Sequence, residues 1–397
     1  VPFKNDIEQK LRELRIAGLE RRPLTLSSSQ RPELLVDGRK VIGLCSNNYL
    51  GLADHPVLVA AATDALRRFG VGAAASRQVS GTMDVHLEAE QRLRRFIKSE
   101  ACILFSSGYA ANIGAIQALA GPSDIVFSDA LNHASIIDGC RLSRARIKVY
   151  RHCDPEHLRE LLDRDRRGSS RYLVVTEALF SMDGDTAPLE EIRALCDRFD
   201  AALLVDEAHS LGVLGPLGRG LCAMQEVRPD ILIGTLGKAF GSAGGFVASS
   251  TELVDIIRNM ARSYFFSTAP LPLQAATALA AVELVEAADE QRRRLLDHAD
   301  RLRGALGEMG YQTPAGSTQI IPVHVGDAGT VMRFSASLLE KNVFVHGIRP
   351  PSVPSGTCRL RLTPMASHDD EHISRAIDAF RFLCPEYVSI LKLTYRK

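Results

Sequence analysis

Between about residues 55 and 285, short apolar runs alternate with stretches of helical period, and this alternation limits the possible folds more than any other feature. Residues 86–98 carry Leu87, Leu93, Phe96 and Ile97 on one helical side. An apolar run follows at 101–105, then a helical pattern at 112–119. Three further runs, 172–176, 201–205 and 231–233, read as buried strands, with a helix at 189–199 between the first two. Strands separated by helices imply a largely parallel sheet covered on both faces. The expected class is therefore α/β.

A chain of 397 residues is longer than the roughly 250–300 over which one core grows efficiently, so more than one unit is expected. Residues 5–20 form an amphipathic helical pattern (Ile7, Leu11, Leu14, Ile16, Leu19) that Arg21-Arg22-Pro23 should end, and 40–45 reads as a short strand. A long helix is expected at 271–287, followed by a charged helix whose Arg292-Arg293-Arg294 is expected on a solvated face. Beyond residue 310 the period shortens: 319–325, 343–346 and 359–363 read as strands, with a helix at 370–383. The expected division is an N-terminal segment (1–45), a large domain with the mostly parallel sheet (46–285) and a smaller C-terminal α+β domain (286–397).

Charge excludes several function classes. Lys+Arg number 48 and Asp+Glu 47, a net charge of +1, which argues against a basic nucleic-acid binder. No apolar run reaches the ~18 residues a bilayer span needs. Val1-Pro2-Phe3-Lys4-Asn5-Asp6 has no basic stretch leading into an apolar one, so no secretory leader and a cytoplasmic location are expected. The eight cysteines form no C-x-x-C pair and read as reduced, mostly buried thiols. His368 and His372 have i, i+4 spacing, but Ser367-His368-Asp369-Asp370-Glu371-His372 reads as a polar helix start, and no metal is expected. Gly70-Val71-Gly72-Ala73-Ala74-Ala75 fits G-x-G-x-x-A, yet it follows a helical pattern rather than a strand. Gly237-Lys238 has the end of a P-loop, but Leu232 stands at the first glycine and Ala239 at the hydroxyl position.

Three stretches remain, each at an expected strand end. They are Val205-Asp206-Glu207-Ala208-His209, Gly234-Thr235-Leu236-Gly237-Lys238 and Ser106-Ser107-Gly108-Tyr109-Ala110-Ala111-Asn112. Open α/β sheets bind ligands at the carboxyl ends of their strands. A carboxylate, a lysine among small residues and a helix N-terminus meet the needs of pyridoxal phosphate (PLP): a partner for the pyridinium nitrogen, a Schiff-base amine and a phosphate cradle.

These stretches, together with Ser46-Asn47-Asn48-Tyr49-Leu50-Gly51-Leu52, Asn132-His133-Ala134-Ser135 and the run from Thr176-Glu177 to Asp183-Gly184-Asp185, strongly resemble the α-oxoamine synthase family from about Arg21 to Ala379. Its members are PLP enzymes of the aspartate-aminotransferase-like fold (fold type I) that join an amino acid to an acyl-CoA thioester. The resemblance implies that Lys238 is the Schiff-base lysine and Asp206 the pyridinium partner. It further implies His133 stacked on the ring, His209 near the phenolic oxygen, and Ser181 in the pocket. Gly108, Tyr109 and Thr235 would hold the phosphate, with Ser267 and Thr268 reaching it from a second copy in a homodimer.

Within the family, 347–361 and Phe266-Ser267-Thr268-Ala269 resemble best the branch that joins L-alanine to a pimeloyl thioester in biotin synthesis. That branch implies Arg361 on the amino-acid carboxylate, Arg21 and Arg349 toward the acyl chain, and Asn47 and Ser352 as further substrate contacts. Ser352 replaces a usual threonine, and Gly72-Ala73-Ala74-Ala75-Ser76 is richer in alanine than the family pattern. Two other readings stay open: a sibling joining glycine to an acetyl group or serine to a palmitoyl group, and a catalytically silent partner subunit.

Overall fold

The computed structural model describes residues 2–165 and 171–394. They form two compact units: residues 50–165, 171–181 and 185–292, and residues 2–49, 182–184 and 293–394.

The larger unit is built on a seven-stranded sheet. In spatial order its strands are Ala101–Phe105, Gly245–Ser249, Ile231–Thr235, Ala201–Asp206, Tyr172–Glu177, Ile125–Asp129 and Arg146–Tyr150. Gly245–Ser249 is antiparallel to both neighbours, and the other pairs are parallel. The carboxyl ends of six strands therefore share one edge, where Gly245 also arrives. A Cβ on Gly245 would lie 2.5 Å from Gly108 N, so only glycine lets that strand start so close to the turn after Ala101–Phe105. The central strands are buried at all but one position each because helices cover both faces, among them Gly108–Leu119, Ala134–Ser143 and Leu189–Phe199.

The smaller unit holds two three-stranded sheets. Glu33–Val36 pairs with Arg39–Gly43, which pairs in turn with Val343–Phe344. Ile321–Gly326 and His346–Ile348 flank Cys358–Leu362. The strand expected over 343–346 is thus divided: the chain leaves one sheet at Phe344 and joins the other at His346, turning about the fully buried Val345.

Other elements also differ from expectation. The first helix is Pro2–Ile16, which buries none of its side chains and ends before Gly18 at φ 67°, ahead of Arg21-Arg22-Pro23. The last helix runs from Asp370 to Thr394 across Pro385, well past residue 383. Arg292 is not on a solvated face. It is buried, and its guanidinium donates to Val285 O and Glu286 O, the last two carbonyls of the helix Pro272–Glu286. His368 is likewise buried, placed between Met365 N and Gly43 O, and desolvation pushes its pKa down to about 4. Gly70 ends the helix Pro56–Phe69, so no strand precedes the G-x-G-x-x-A stretch.

Candidate active site

The sheet's carboxyl edge gathers the residues that the motifs single out in the larger unit. Asp206 ends strand Ala201–Asp206 and is 6% exposed. Its Oδ1 accepts Ala208 N at 2.8 Å and its Oδ2 accepts Asn112 Nδ2 at 2.6 Å. The same Asn112 amide nitrogen reaches Ser135 Oγ at 3.0 Å, and Ser135 Oγ lies 2.8 Å from His133 Nδ1. His133 N donates to Glu177 Oε1 at 2.6 Å, and Glu177 stands opposite Asp206 in the register of the adjacent strands. A hydrogen-bonded chain thus links Asp206, Asn112, Ser135, His133 and Glu177.

Its protonation follows from the donors. His133 caps the helix Ala134–Ser143 by accepting Ser135 N at Nδ1, 3.3 Å away. An N–H facing Nδ1 leaves the ring proton on Nε2. Burial lowers the His133 pKa and so favours this neutral ring, with Asp206 opposing and Lys238 adding to the shift. Glu177 is shifted the other way, up to about 8, because it is desolvated and faces the Asp206 charge; Lys238 only partly offsets this. Lys238 and Asp206 both act on His133 and on Glu177, which places all four in one electrostatic neighbourhood.

Around this group, Ser107 caps the helix Gly108–Leu119 by accepting Ala110 N at 3.1 Å, with the Gly108 and Tyr109 amides at the helix start. A Cβ on Gly108 would lie 3.2 Å from Thr235 Cβ, so these two candidates abut. The Tyr109 and His133 rings meet edge-on with centroids 6.3 Å apart. His209 and Ser181 are buried, in the turns after strands Ala201–Asp206 and Tyr172–Glu177. Glu207, between Asp206 and His209, has a structural part: fully buried, it accepts Leu221 N at 2.9 Å and Cys222 N at 2.6 Å. Ser267 and Thr268 belong to a different segment, bridged to the 72–76 stretch through Thr268 and Ser76.

The smaller unit holds the arginines. Arg361 is buried on strand Cys358–Leu362 and donates to Asn47 Oδ1 and Tyr49 OH, each at 3.2 Å. Arg359, on the same face, pairs with Asp183, while Leu360 between them is fully buried. Arg349 is buried and donates to Glu20 O at 2.7 Å. Arg21 donates to Pro350 O at 3.1 Å. Ser352 is exposed. Motif reading assigned no part to Asn112 and Glu177, although both lie inside the quoted stretches. The signal was there: each sits at a strand end or helix start on the edge that carries Asp206.

The family model for aminotransferase class I and II matches residues 39–380. The chain belongs to the class I and II aminotransferase family. Among curated relatives of this family member, an 8-amino-7-oxononanoate synthase of Geobacter sulfurreducens is 51% identical over 377 residues, covering 94% of this chain and 96% of that protein. Among solved structures, a serine palmitoyltransferase variant from S. paucimobilis with bound PLP–myriocin aldimine superposes with TM-score 0.91 at 34% identity, covering 97% of this chain and 98% of that one. An 8-amino-7-oxononanoate synthase from Francisella tularensis superposes with TM-score 0.74 at 26% identity, covering 87% and 99%.

The edge of the larger unit fits the cofactor of these class I and II enzymes. It offers a buried carboxylate for a ring nitrogen, an amine for an aldehyde carbon and a helix N-terminus for a phosphate. The buried Asn112 Oδ1 in its midst has no hydrogen-bond partner among the described residues.

Proposed function

We propose that this chain is a PLP-dependent acyltransferase that condenses L-alanine with a pimeloyl thioester, with loss of CO₂, to give 8-amino-7-oxononanoate for biotin synthesis. The observation that carries the substrate assignment is the 51% identity over nearly the whole length to a relative of that name. The chemistry is supported by the cluster of Asp206, His133, Glu177 and Lys238.

When bound, PLP supplies a ring that accepts the electrons left on the amino-acid α-carbon. Asp206, oriented by Asn112 and the Ala208 amide, keeps the proton on the ring nitrogen. His133, neutral and held by its own helix cap, offers a flat face to the ring. Lys238 Nζ anchors the cofactor and carries the α-proton. Gly108, Tyr109 and Thr235 receive the phosphate, and Ser181 and His209 contact the pyridine substituents. Arg361, held in a fork by Asn47 and Tyr49, binds the substrate carboxylate; Arg21, Arg349 and Ser352 serve the acyl chain. Ser267 and Thr268 complete the phosphate site of a second copy. Exposed apolar side chains near their segment, Val71, Val79, Met260 and Phe266, support such a homodimer. Among the described residues no helix is long and apolar enough to cross a membrane. The eight free thiols support a cytoplasmic location.

The TM-score of 0.91 to a serine palmitoyltransferase favours a second reading, a sibling with another amino acid and acyl chain. Steady-state rates of alanine, glycine and serine against pimeloyl-, acetyl- and palmitoyl-CoA separate the two. Alanine with pimeloyl-CoA is expected to be fastest. Faster turnover of serine with palmitoyl-CoA, or of glycine with acetyl-CoA, would overturn the substrate assignment. A protein that stays colourless with added PLP would point to a silent subunit instead.

A further inference from the structure

Outside the chain of hydrogen bonds at the site, His152 joins two segments that carry site residues. Its Nδ1 lies 2.9 Å from Asp129 Oδ1 and its Nε2 lies 2.7 Å from Asp185 Oδ2. Asp129 ends strand Ile125–Asp129 and starts the turn to His133. Its Oδ1 also accepts Leu131 N at 2.8 Å, and its Oδ2 accepts Cys153 N at 2.9 Å. Asp185 closes the turn containing Ser181, where its carbonyl accepts Phe180 N at 2.9 Å. The His152 ring meets the buried Phe180 edge-on, with centroids 4.4 Å apart.

Only an imidazolium can donate to a carboxylate from both nitrogens. Burial by itself would depress the His152 pKa, but the bonds to Asp129 and Asp185 outweigh it and push the value up to about 12. The donor atoms of Asp129, His152 and Cys153 lie within 4.8 Å of one another, a grouping that could attract a metal ion. With both ring nitrogens already committed to carboxylates, a metal would have to displace a firmly held proton, so the geometry favours a bridge.

We propose that His152 is a positioning residue: by joining Asp129 to Asp185 it fixes the turn that presents His133 against the segment that presents Ser181. The inference rests on the PLP reading above. Its consequence is that cutting either arm of the bridge loosens both segments and weakens the grip on the cofactor.

The test uses His152→Gln, Asp185→Asn and, as a control that touches the His152 ring (Cys153 Sγ to Nε2, 3.6 Å) but cuts neither carboxylate arm, Cys153→Ala. Asp185 is partly exposed (43% for its side chain), so its variant should fold even where His152→Gln does not. Hydrogen exchange of the cofactor-free chains reads the two segments directly. Faster exchange is expected over both 129–135 and 178–186 in either bridge variant, with Cys153→Ala like the wild type. PLP affinity, measured by absorbance titration, should fall roughly tenfold or more, as for a lost hydrogen bond between charged groups. The visible circular dichroism of bound PLP should change, and kcat should fall more than the KM for the thioester rises. Wild-type affinity and dichroism in both bridge variants would overturn the proposal. So would an Asp185→Asn effect confined to 178–186. Failure of the wild type to take up PLP, with coupled exchange intact, would instead defeat the cofactor reading.

Discussion

The amide of Asn112 donates to the carboxylate of Asp206 across 2.6 Å, and both side chains are buried. The helix start and the strand end that carry them are thereby locked together at the centre of the site. Replacing Asn112 by Ala leaves one carboxylate oxygen without its donor. A hydrogen bond to a charged group contributes about 1.5–3 kcal/mol, so kcat/KM should fall roughly 10- to 150-fold. Asp206→Asn should cost more, on the order of 10²-fold or above, because an amide does not stabilise a protonated ring nitrogen. Near-normal steady-state rates in both variants would contradict the part given to Asp206.

Lys238→Ala should abolish turnover. Borohydride reduction of the wild-type holoenzyme followed by peptide mapping should find the cofactor fixed to Lys238. Attachment at any other lysine would move the assignment.

Glu177→Gln should alter the dependence of stability on pH. The native carboxyl is raised from an ordinary value of 4.5 to about 8. Between these values the unfolded chain has lost the proton that the native chain still holds. This contribution to stability is therefore complete below about 4.5, declines as pH rises, and is gone above about 8. Glutamine carries no such proton, so thermal melts of the variant should decline less than wild type from pH 5 to 8. Parallel melting curves would show that Glu177 ionises normally.

Arg361→Ala should raise the KM for L-alanine far more than the KM for the thioester. Loss of a charge-assisted carboxylate contact costs about 1.5–3 kcal/mol, roughly 10- to 150-fold. Equal effects on both substrates would assign Arg361 a general structural part through Asn47 and Tyr49.

His368→Ala should destabilise the smaller unit and remove an acid-sensitive contribution. The native imidazole is lowered from 6.5 to about 4, so its contribution is present above about 6.5 and is lost as pH falls toward 4. Thermal melts between pH 4 and 7 should show wild type and variant converging at the acid end; a constant gap would refute this.

What the sequence made legible follows from the range over which each signal acts. Tyr172–Glu177, Ala201–Asp206 and Ile231–Thr235 each open with a continuous apolar run, so their burial on both faces is visible locally. Gly245–Ser249 is a short run that begins with glycine and leads straight into the helix Thr251–Met260, and Arg146–Tyr150 is a charged edge strand; neither shows that pattern in the sequence. At the site, Lys238 and Asp206 stand out by residue type at strand ends. The partnership of Asn112 with Asp206 spans 94 positions and that of His133 with Glu177 spans 44, distances at which only the folded sheet brings partners together. Arg292 misled for a similar reason: its buried partners are carbonyls, which no side-chain pattern announces.

The pairing of Val343 with Ile42 sets a timetable for synthesis. The larger unit is almost continuous from residue 50 to 292 and can close while the ribosome is still at work. The hairpin Glu33–Val36/Arg39–Gly43 emerges before it, yet its outer partner follows about 300 positions later. At roughly 5–20 residues per second, that edge waits some 15–60 s with unpaired backbone groups. A hairpin made early is thus completed late, and its open edge is a part of the fold that needs cover during synthesis.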